Sequence, residues 1–203
     1  MATLDDYMQR LAPLCYRPNW KLFDPIDSFY SSLLSGEDSD LYDAAKILAE
    51  HISIAPVQSV SYEWGLTMPG SVAGRIHIHS DAGSKIQIPL FCVGKPLSLA
   101  AILAHELSHQ LLAHNGIWLA DEDENEQLTD AASIVAGLGK VVLNGTVTEL
   151  AEATGETQFL GYLKPQMRID LYTRVNSIRG IHANVAKKHL TSAAINLFTR
   201  ANK

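Results

Sequence analysis

The residues best suited to chemistry lie in segment 103–116, which has the sequence LAHELSHQLLAHNG. Within it, His105, Glu106 and His109 form the pattern H-E-x-x-H. On a helix, two histidines at positions i and i+4 lie one turn apart on the same face, so both imidazoles can bind one zinc ion. Glu106 lies beside them and can act on a water molecule at the metal. The pattern therefore predicts a zinc site with one carboxylate available for acid–base chemistry.

A catalytic zinc ion usually has three protein ligands, and three residues compete for the third position. On a continuous helix His114 points away from the face shared by the other histidines, and its place near the helix end suits a cation that interacts with the helix dipole. Cys92 ends an apolar, strand-like segment and is typical of a buried cysteine. Glu126, in the segment NEQLTD, is the strongest candidate.

The segment NEQLTD, residues 125–130, places two carboxylates on one helix face. Glu126 and Asp130 are separated by one helical turn, so one can reach a metal while the other lies just behind it. A histidine that binds zinc normally donates its second ring N–H to a carboxylate or a carbonyl. Asp130 is therefore predicted to accept this hydrogen bond from His105 or His109.

HELSH, followed after a short loop by NEQLTD, resembles the gluzincin metallopeptidases, the thermolysin-like group whose second metal-site helix carries a glutamate ligand and then an aspartate. The resemblance covers roughly 76–145, and the short chain is most similar to the compact minigluzincins and ImmA/IrrE-type domains. It implies one zinc ion on His105, His109 and Glu126, with Glu106 as general base and acid and Asp130 in contact with a ligand.

The resemblance also implies a residue that stabilises the transition state, because members of this group often use a histidine or a tyrosine for that purpose. Three residues of the C-terminal part are candidates, namely Tyr162, Arg168 and His182. The sequence does not choose between them.

The elements that must position these residues follow from the hydrophobic pattern. Helical spacing in the first 55 residues predicts helices, one of which has Asp24 as N-cap and Pro25 at its first position. Apolar residues then alternate in VQSVSYEW, GRIHIH and SKIQIPLF, which predicts three short strands, most simply in an antiparallel sheet. The resemblance implies that either IHIH or KIQIPLF forms an edge strand beside the cleft, where an extended peptide can pair with it.

Long helices follow the strands. The first begins near Pro96 or Ser98, ends at Asn115 and Gly116, and carries H-E-x-x-H. A second is predicted from about Glu122 to Asn144 and Gly145, and two more over 165–179 and from Ala183 to the end. The predicted fold class is α+β, and the resemblance makes it zincin-like. It has a small, mainly antiparallel sheet on the two metal-site helices and additional N- and C-terminal helices. We expect one metallopeptidase-like domain over 1–203, with parts 1–55, 56–145 and 146–203.

Composition limits the partners of this chain. It has 203 residues, is 47% hydrophobic and carries a net charge of -6, with no cluster of lysines or arginines long enough to follow a phosphate backbone. Nucleic acid is therefore not expected. The first residues carry aspartates where a signal peptide carries positive charge, and no apolar run reaches membrane-spanning length, so we expect a cytoplasmic protein without a membrane partner. Cys15 and Cys92 are too few for a disulfide framework.

These observations predict a zinc-dependent peptidase that acts on a peptide or protein substrate. Glu106 serves as general base for a water molecule that the metal activates. Two alternatives stay open. One is a regulatory or binding module whose metal site recognises a partner peptide without general proteolysis, and the other is a zinc amidase that acts on a non-peptide amide.

Overall fold

The structure, a computed structural model, describes residues 2–15, 21–63, 74–79, 83–146 and 160–201. Helices form the N-terminal part, with α1 at Leu4–Arg10, α2 at Ala12–Cys15, α3 at Asp27–Ser32 and α4 at Asp38–His51. Three strands follow, namely β1 at Ser59–Glu63, β2 at Arg75–His79 and β3 at Gly83–Pro89. The remaining helices are α5 at Pro96–His114, α6 at Glu122–Ser133, α7 at Gly139–Thr146, α8 at Pro165–Ile178, α9 at Ala183–Lys187 and α10 at Ser192–Ala201.

The sheet has the strand order β1-β3-β2 and packs on α4 and α5. This confirms an α+β fold with a small three-stranded sheet. β2 pairs with β3 antiparallel, but β1 pairs with β3 parallel, so the sheet is mixed rather than mainly antiparallel. Alternation along a strand determines which face each side chain takes, and it carries no information about strand direction. Trp64, the last residue of the predicted first strand, lies outside the described residues.

Helix α5, which carries H-E-x-x-H, lies in the centre of the molecule. It contacts α4, α6, α7, β2 and β3, and its apolar residues are buried almost all round the helix, as expected of a central helix. It ends as predicted, with Asn115 as C-cap and Gly116 at a φ of 65°. Two buried hydroxyls align it with α6, because Ser133 Oγ donates to Ser108 Oγ over 2.8 Å. This hydrogen bond therefore fixes the position of α5 relative to α6 along the helix axes, and with it the residues of the two helices that face each other.

The long helix predicted from Glu122 onward is interrupted. A π-helical turn, Ile134–Leu138, separates α6 from α7, and Gly137 within it has a φ of 99°. The chain passes close by at this point, since Phe23 N–H donates to the Gly137 carbonyl over 2.9 Å and a Cβ at Gly137 would collide with the Lys21 carbonyl oxygen. Only glycine combines this backbone angle with this close approach.

Three predicted helix boundaries are wrong. The N-cap of α3 is Ile26 instead of Asp24, whose carboxylate binds side chains distant in sequence. Helix α7 continues past Asn144 and Gly145 to Thr146. The last predicted helix is divided into α9 and α10, with His189 between them at a positive φ of 61°. Asn202 and Lys203 lie outside the described residues.

None of the helices described here is both long and apolar enough to cross a membrane.

A buried lysine explains the position of Asp24. Lys140, on α7, is fully buried, and its ammonium group donates to Asp24 Oδ1, which also lies 2.9 Å from His189 Nδ1. Burial opposes ionisation of Asp24, but the hydrogen bonds from Lys140 and His189 outweigh it and lower the pKa of this carboxyl. The pair therefore stabilises the fold above the unfolded pKa of Asp24, and this contribution is lost as the pH falls through the lower folded pKa.

Removal of Asp24 should destabilise the fold because it leaves the Lys140 ammonium group buried without its partner. Loss of one partner from a buried pair costs about 3–5 kcal/mol, and since the Asp24 side chain is 40% exposed we expect about 2 kcal/mol for Asp24→Asn at neutral pH. In a Lys140→Met background the same substitution should cost much less. Urea unfolding of the four variants of this cycle measures the coupling, and additive costs would contradict the pairing.

Candidate metal centre

Two helices bring three potential ligand atoms to one point. His105 and His109 project from α5 and Glu126 projects from α6. His105 Nε2 lies 2.9 Å from Glu126 Oε2 and 3.2 Å from His109 Nε2, while His109 Nε2 lies 3.3 Å from the same carboxylate oxygen. Within the described residues, this is the group of three with the spacing of a metal site. The three side chains can hold one metal ion.

The hydrogen bonds of the two Nδ1 atoms determine the tautomers of His105 and His109, and so whether each Nε2 directs a lone pair toward the candidate metal position. His105 Nδ1 lies 2.9 Å from Asp130 Oδ1, and a carboxylate can only accept, so this nitrogen carries the hydrogen. Thr129 Oγ1 donates its one hydrogen to the Asn125 carbonyl over 2.9 Å, so at 3.2 Å it accepts from His109 Nδ1. With both rings neutral, each Nε2 therefore presents a lone pair.

The convergence of two imidazole lone pairs and a carboxylate favours a cation at this point. Burial disfavours a charged imidazole, but the hydrogen bonds to Asp130 and Glu126 outweigh it and raise the pKa of His105 to about 10. Burial alone would raise the pKa of Glu126, and the hydrogen bonds to the two histidines instead lower it to about 2. The surroundings thus stabilise positive charge between the three side chains, whether a proton or a metal ion carries it.

Asp130 connects the site to the C-terminal part of the chain. One of its oxygens accepts from His105, while the other accepts from the main-chain N–H groups of Tyr162 and Leu163 over 2.7 and 2.8 Å and from Arg168 Nη2 over 2.7 Å. Burial opposes its charge, but the Arg168 guanidinium and the His105 ring hold the pKa of Asp130 well below its usual range. Asp130 is therefore an ionised acceptor that fixes the orientation of the His105 ring.

Gly161 permits this connection. Its φ of 94° is rarely adopted by residues with a side chain, and a Cβ there would collide with Arg168 Nη2 and lie 2.9 Å from Asp130 Oδ2. The chain therefore turns tightly over the Asp130–Arg168 pair and directs the next two N–H groups at the carboxylate.

Glu106 is buried beside the three potential ligands. Its carboxylate accepts the main-chain N–H of Ile76 on β2 and is only 4% exposed. Burial is the main reason that the pKa of Glu106 is raised, although the neighbouring histidines oppose the shift. Glu106 also lines both the cleft and a smaller adjoining pocket of about 30 Å³. It thus lies where the two pockets meet.

The site opens into a cleft of about 480 Å³ between β2 and the two metal-site helices. β2 contributes Arg75, Ile76 and Ile78, and Tyr162 forms part of the opposite lining. The Tyr162 ring stacks on His105, with ring centroids 5.6 Å apart and an interplanar angle of 25°. Burial first, and nearby carboxylates second, raise the pKa of Tyr162, so its hydroxyl keeps its proton at neutral pH.

The other candidate residues lie elsewhere. His114 is exposed at the end of α5, and Cys92 is buried in a short 3-10 helix, Leu90–Cys92, after β3. His182 is the exposed N-cap of α9, where its ring accepts the Asn184 N–H, and the lining of the cleft does not include it. Tyr162 is therefore the candidate for transition-state stabilisation that lies at the site, and this role stays a prediction.

Two contacts of the site were not predicted from the sequence. The sequence predicts Arg168 only as a candidate for transition-state stabilisation, whereas Arg168 is buried and pairs with Asp130. It predicts no role for Thr129, although the Thr129 hydroxyl fixes the orientation of the His109 ring. Its position in NEQLTD, directly before Asp130, is the one sequence signal that could have indicated this.

No protein-family model, curated protein or solved structure matches the chain. The geometry of the described residues is therefore the basis for any functional conclusion.

Glu126→Ala should weaken metal binding because it removes one of three donor atoms and leaves two histidines. We expect the affinity for zinc to fall on the order of a hundredfold or more, measured by competition with a chromophoric chelator. Asp123→Ala is a matched control, because this carboxylate lies exposed on the same helix outside the lining of the cleft. Equal zinc affinity in the Glu126→Ala and Asp123→Ala variants would exclude Glu126 as a ligand.

Proposed function

We propose that this protein is a zinc-dependent peptidase of the gluzincin type, which hydrolyses peptide bonds with Glu106 as general base. The observation that carries the proposal is the arrangement of four side chains from H-E-x-x-H and NEQLTD. His105, His109 and Glu126 converge on one point at the floor of an open cleft, and Glu106 is held beside them. A purely structural metal site has no need of this fourth side chain.

Zinc fits this set of donors better than a hard cation does. Magnesium and calcium prefer oxygen ligands, whereas imidazole nitrogen is typical of zinc and other late transition metals. Tetrahedral zinc with ligands at about 2.0–2.1 Å separates its donor atoms by about 3.3 Å. Two of the three separations, 3.2 and 3.3 Å, agree with this value, and the third, 2.9 Å, is that of a hydrogen bond. His105, His109 and Glu126 would hold the ion, and the cleft side of the site would stay open to water or substrate.

When bound, zinc supplies Lewis acidity, which activates a water molecule at neutral pH and polarises a carbonyl group. Glu106 then takes a proton from the attacking water on a carboxylate oxygen and passes it to the leaving amine. The Ile76 N–H orients this carboxylate, and burial keeps competing water away from it. His105 is kept in the required tautomer by Asp130, so its Nε2 lone pair stays available.

The edge of the sheet supports an extended peptide as substrate. β2 is an edge strand of the described sheet, whereas β3 lies in its centre, so IHIH is the segment available for pairing. The Ile76 N–H bonds to Glu106 and therefore points away from β3. Because main-chain groups alternate along an antiparallel pair, those of Ile78 also point to the free edge. A peptide can pair there by main-chain hydrogen bonds and pass over the metal site.

Glu106→Gln should abolish hydrolysis and leave zinc bound, because glutamine keeps the shape of the side chain but cannot accept a proton. We expect a loss in kcat on the order of 10²–10⁴-fold. Cleavage of a mixture-based peptide library, followed by mass spectrometry, together with the zinc content of the same samples, measures both effects. Glu50→Gln, an exposed change on α4, is the matched control.

Together with an assay on small non-peptide amides, this experiment separates the competing functions. Full activity in Glu106→Gln would exclude the proposed mechanism. Zinc binding without cleavage of any library peptide by the wild-type protein would favour a module that binds a partner peptide. Hydrolysis of small non-peptide amides alone would favour an amidase.

Tyr162 is the residue that we expect to stabilise the transition state, because its ring stacks on His105 and lines the cleft at the metal site. Tyr162→Phe keeps the ring and removes only the hydroxyl donor. We expect kcat to fall about 10²-fold, with KM and zinc content nearly unchanged. His182→Ala should leave kcat unchanged, and the reverse pattern would assign the role to His182.

A further inference from the structure

We propose that a groove between α3 and α4 is a docking site for a basic amphipathic helix of a partner protein. The groove has a volume of about 420 Å³ and is lined by side chains from 23–32 and 40–47. It shares no lining residue with the cleft at the candidate metal centre, so this inference is independent of the proposed peptidase function.

The floor of the groove is apolar, and its position is fixed by the core. Phe29 is 8% exposed, and the Phe23 ring packs edge-on against it with ring centroids 5.3 Å apart. The main chain of Phe23 is held in turn, because its N–H donates to the Gly137 carbonyl. Two large apolar side chains above this floor are open to solvent, since Ile26 is 55% and Ile47 46% exposed. Single exposed apolar residues are common, but these two line one concave surface, so one occupant can bury both.

One face of α4 presents both charge and apolar surface to the groove. Four of its residues line the groove and recur at positions i, i+3, i+4 and i+7, so they share this face. They are Asp40, Asp43, Ala44 and Ile47. The helix dipole stabilises Asp40 in the first turn, but Asp43 lies one turn later and gains little from it. Neither carboxylate forms an ion pair with a residue in the described part of the chain.

This charge favours a basic partner. Asp24 also lines the groove, but Lys140 and His189 already bind its carboxylate. The unbalanced charge is therefore that of Asp40 and Asp43, in a chain whose net charge is -6. An acidic or uncharged apolar helix would leave both carboxylates beside apolar surface without a counter-ion. A helix that carries lysines or arginines next to its apolar face would pair with them.

The walls of the groove favour a helix over an extended peptide or a small molecule. Both walls are helices, so the groove offers side chains and no strand edge, which is typical of sites that bind an amphipathic helix. The face of α4 from Asp40 to Ile47 is about 10 Å long, which corresponds to about two helical turns. Small-molecule sites enclose most of their ligand, whereas here Ile26, Asp43 and Ile47 are all exposed.

A designed peptide tests the docking site. The probe is a fluorescently labelled helical peptide of about 18 residues, with leucines along one face and lysines beside them. We expect the full chain to bind it. Asp40→Asn combined with Asp43→Asn should weaken binding about fivefold at low salt and less at high salt, because these charges are accessible to solvent ions. Ile47→Ser should weaken binding about tenfold at either salt concentration, because it removes apolar contact area. Fluorescence anisotropy measures each affinity.

Matched control variants distinguish the groove from the overall charge of the protein. Glu50→Gln combined with Asp123→Asn also removes two exposed carboxylates, and Ile178→Ser also removes an isoleucine, which is 42% exposed. None of these three residues lines the groove, so both control proteins should bind the peptide like the wild-type protein. A peptide with glutamates in place of the lysines should not bind. Urea unfolding checks that the compared variants are folded.

The same measurements decide between the possible occupants, and none of them requires zinc or turnover. Weaker binding in the groove variants with unchanged binding in the controls supports the docking site. Absence of binding, or equal losses in groove and control variants, overturns it. If phenethylammonium binds more tightly than the peptide and Asp40→Asn with Asp43→Asn removes this binding, the groove is a small-cation site and the proposal is wrong. Self-association in sedimentation experiments that Ile47→Ser abolishes would assign the groove to a second copy of the chain, which also overturns the proposal.

Discussion

The carboxylate of Asp130 is a buried negative charge, and the candidate site depends on how that charge is balanced. Burial of an unpaired carboxylate is costly, and here four donors share the balance, namely His105, Arg168 and the N–H groups of residues 162 and 163. These donors belong to α5, α8 and the turn before α8. The orientation of one candidate ligand is therefore coupled to the correct packing of the C-terminal part of the chain.

The central helix gives this network its rigidity. Because α5 is surrounded by α4, α6, α7 and the sheet, its side chains have little conformational freedom. The Ser108–Ser133 hydrogen bond also fixes the position of α5 along α6. The distance between His105 and Glu126 is consequently a property of helix packing and not of flexible side chains. A site held in this way is preorganised, so binding energy is not spent on ordering the ligands.

The parts of this structure that follow from local periodicity could be predicted from the sequence. H-E-x-x-H and the spacing of Glu126 and Asp130 each lie within one helix, so helical geometry alone determines which side chains share a face. The contacts that could not be predicted join distant segments. Lys140 with Asp24, Arg168 with Asp130 and the parallel pairing of β1 with β3 all depend on tertiary packing. The interruption at Gly137 also depends on a distant segment, because the Lys21–Phe23 backbone packs against it.

Glu106 and Glu126 are two carboxylates of the candidate site that lie in different surroundings. Glu126 is hydrogen-bonded to two imidazoles, and these bonds keep it ionised. Glu106 is almost fully buried, and burial, stronger than the attraction of the same histidines, raises its pKa. A carboxylate that stays ionised is suited to bind a metal, whereas one whose environment favours protonation is suited to accept and return a proton. The different surroundings of the two glutamates thus support the roles proposed for them, Glu126 as a metal ligand and Glu106 as the general base.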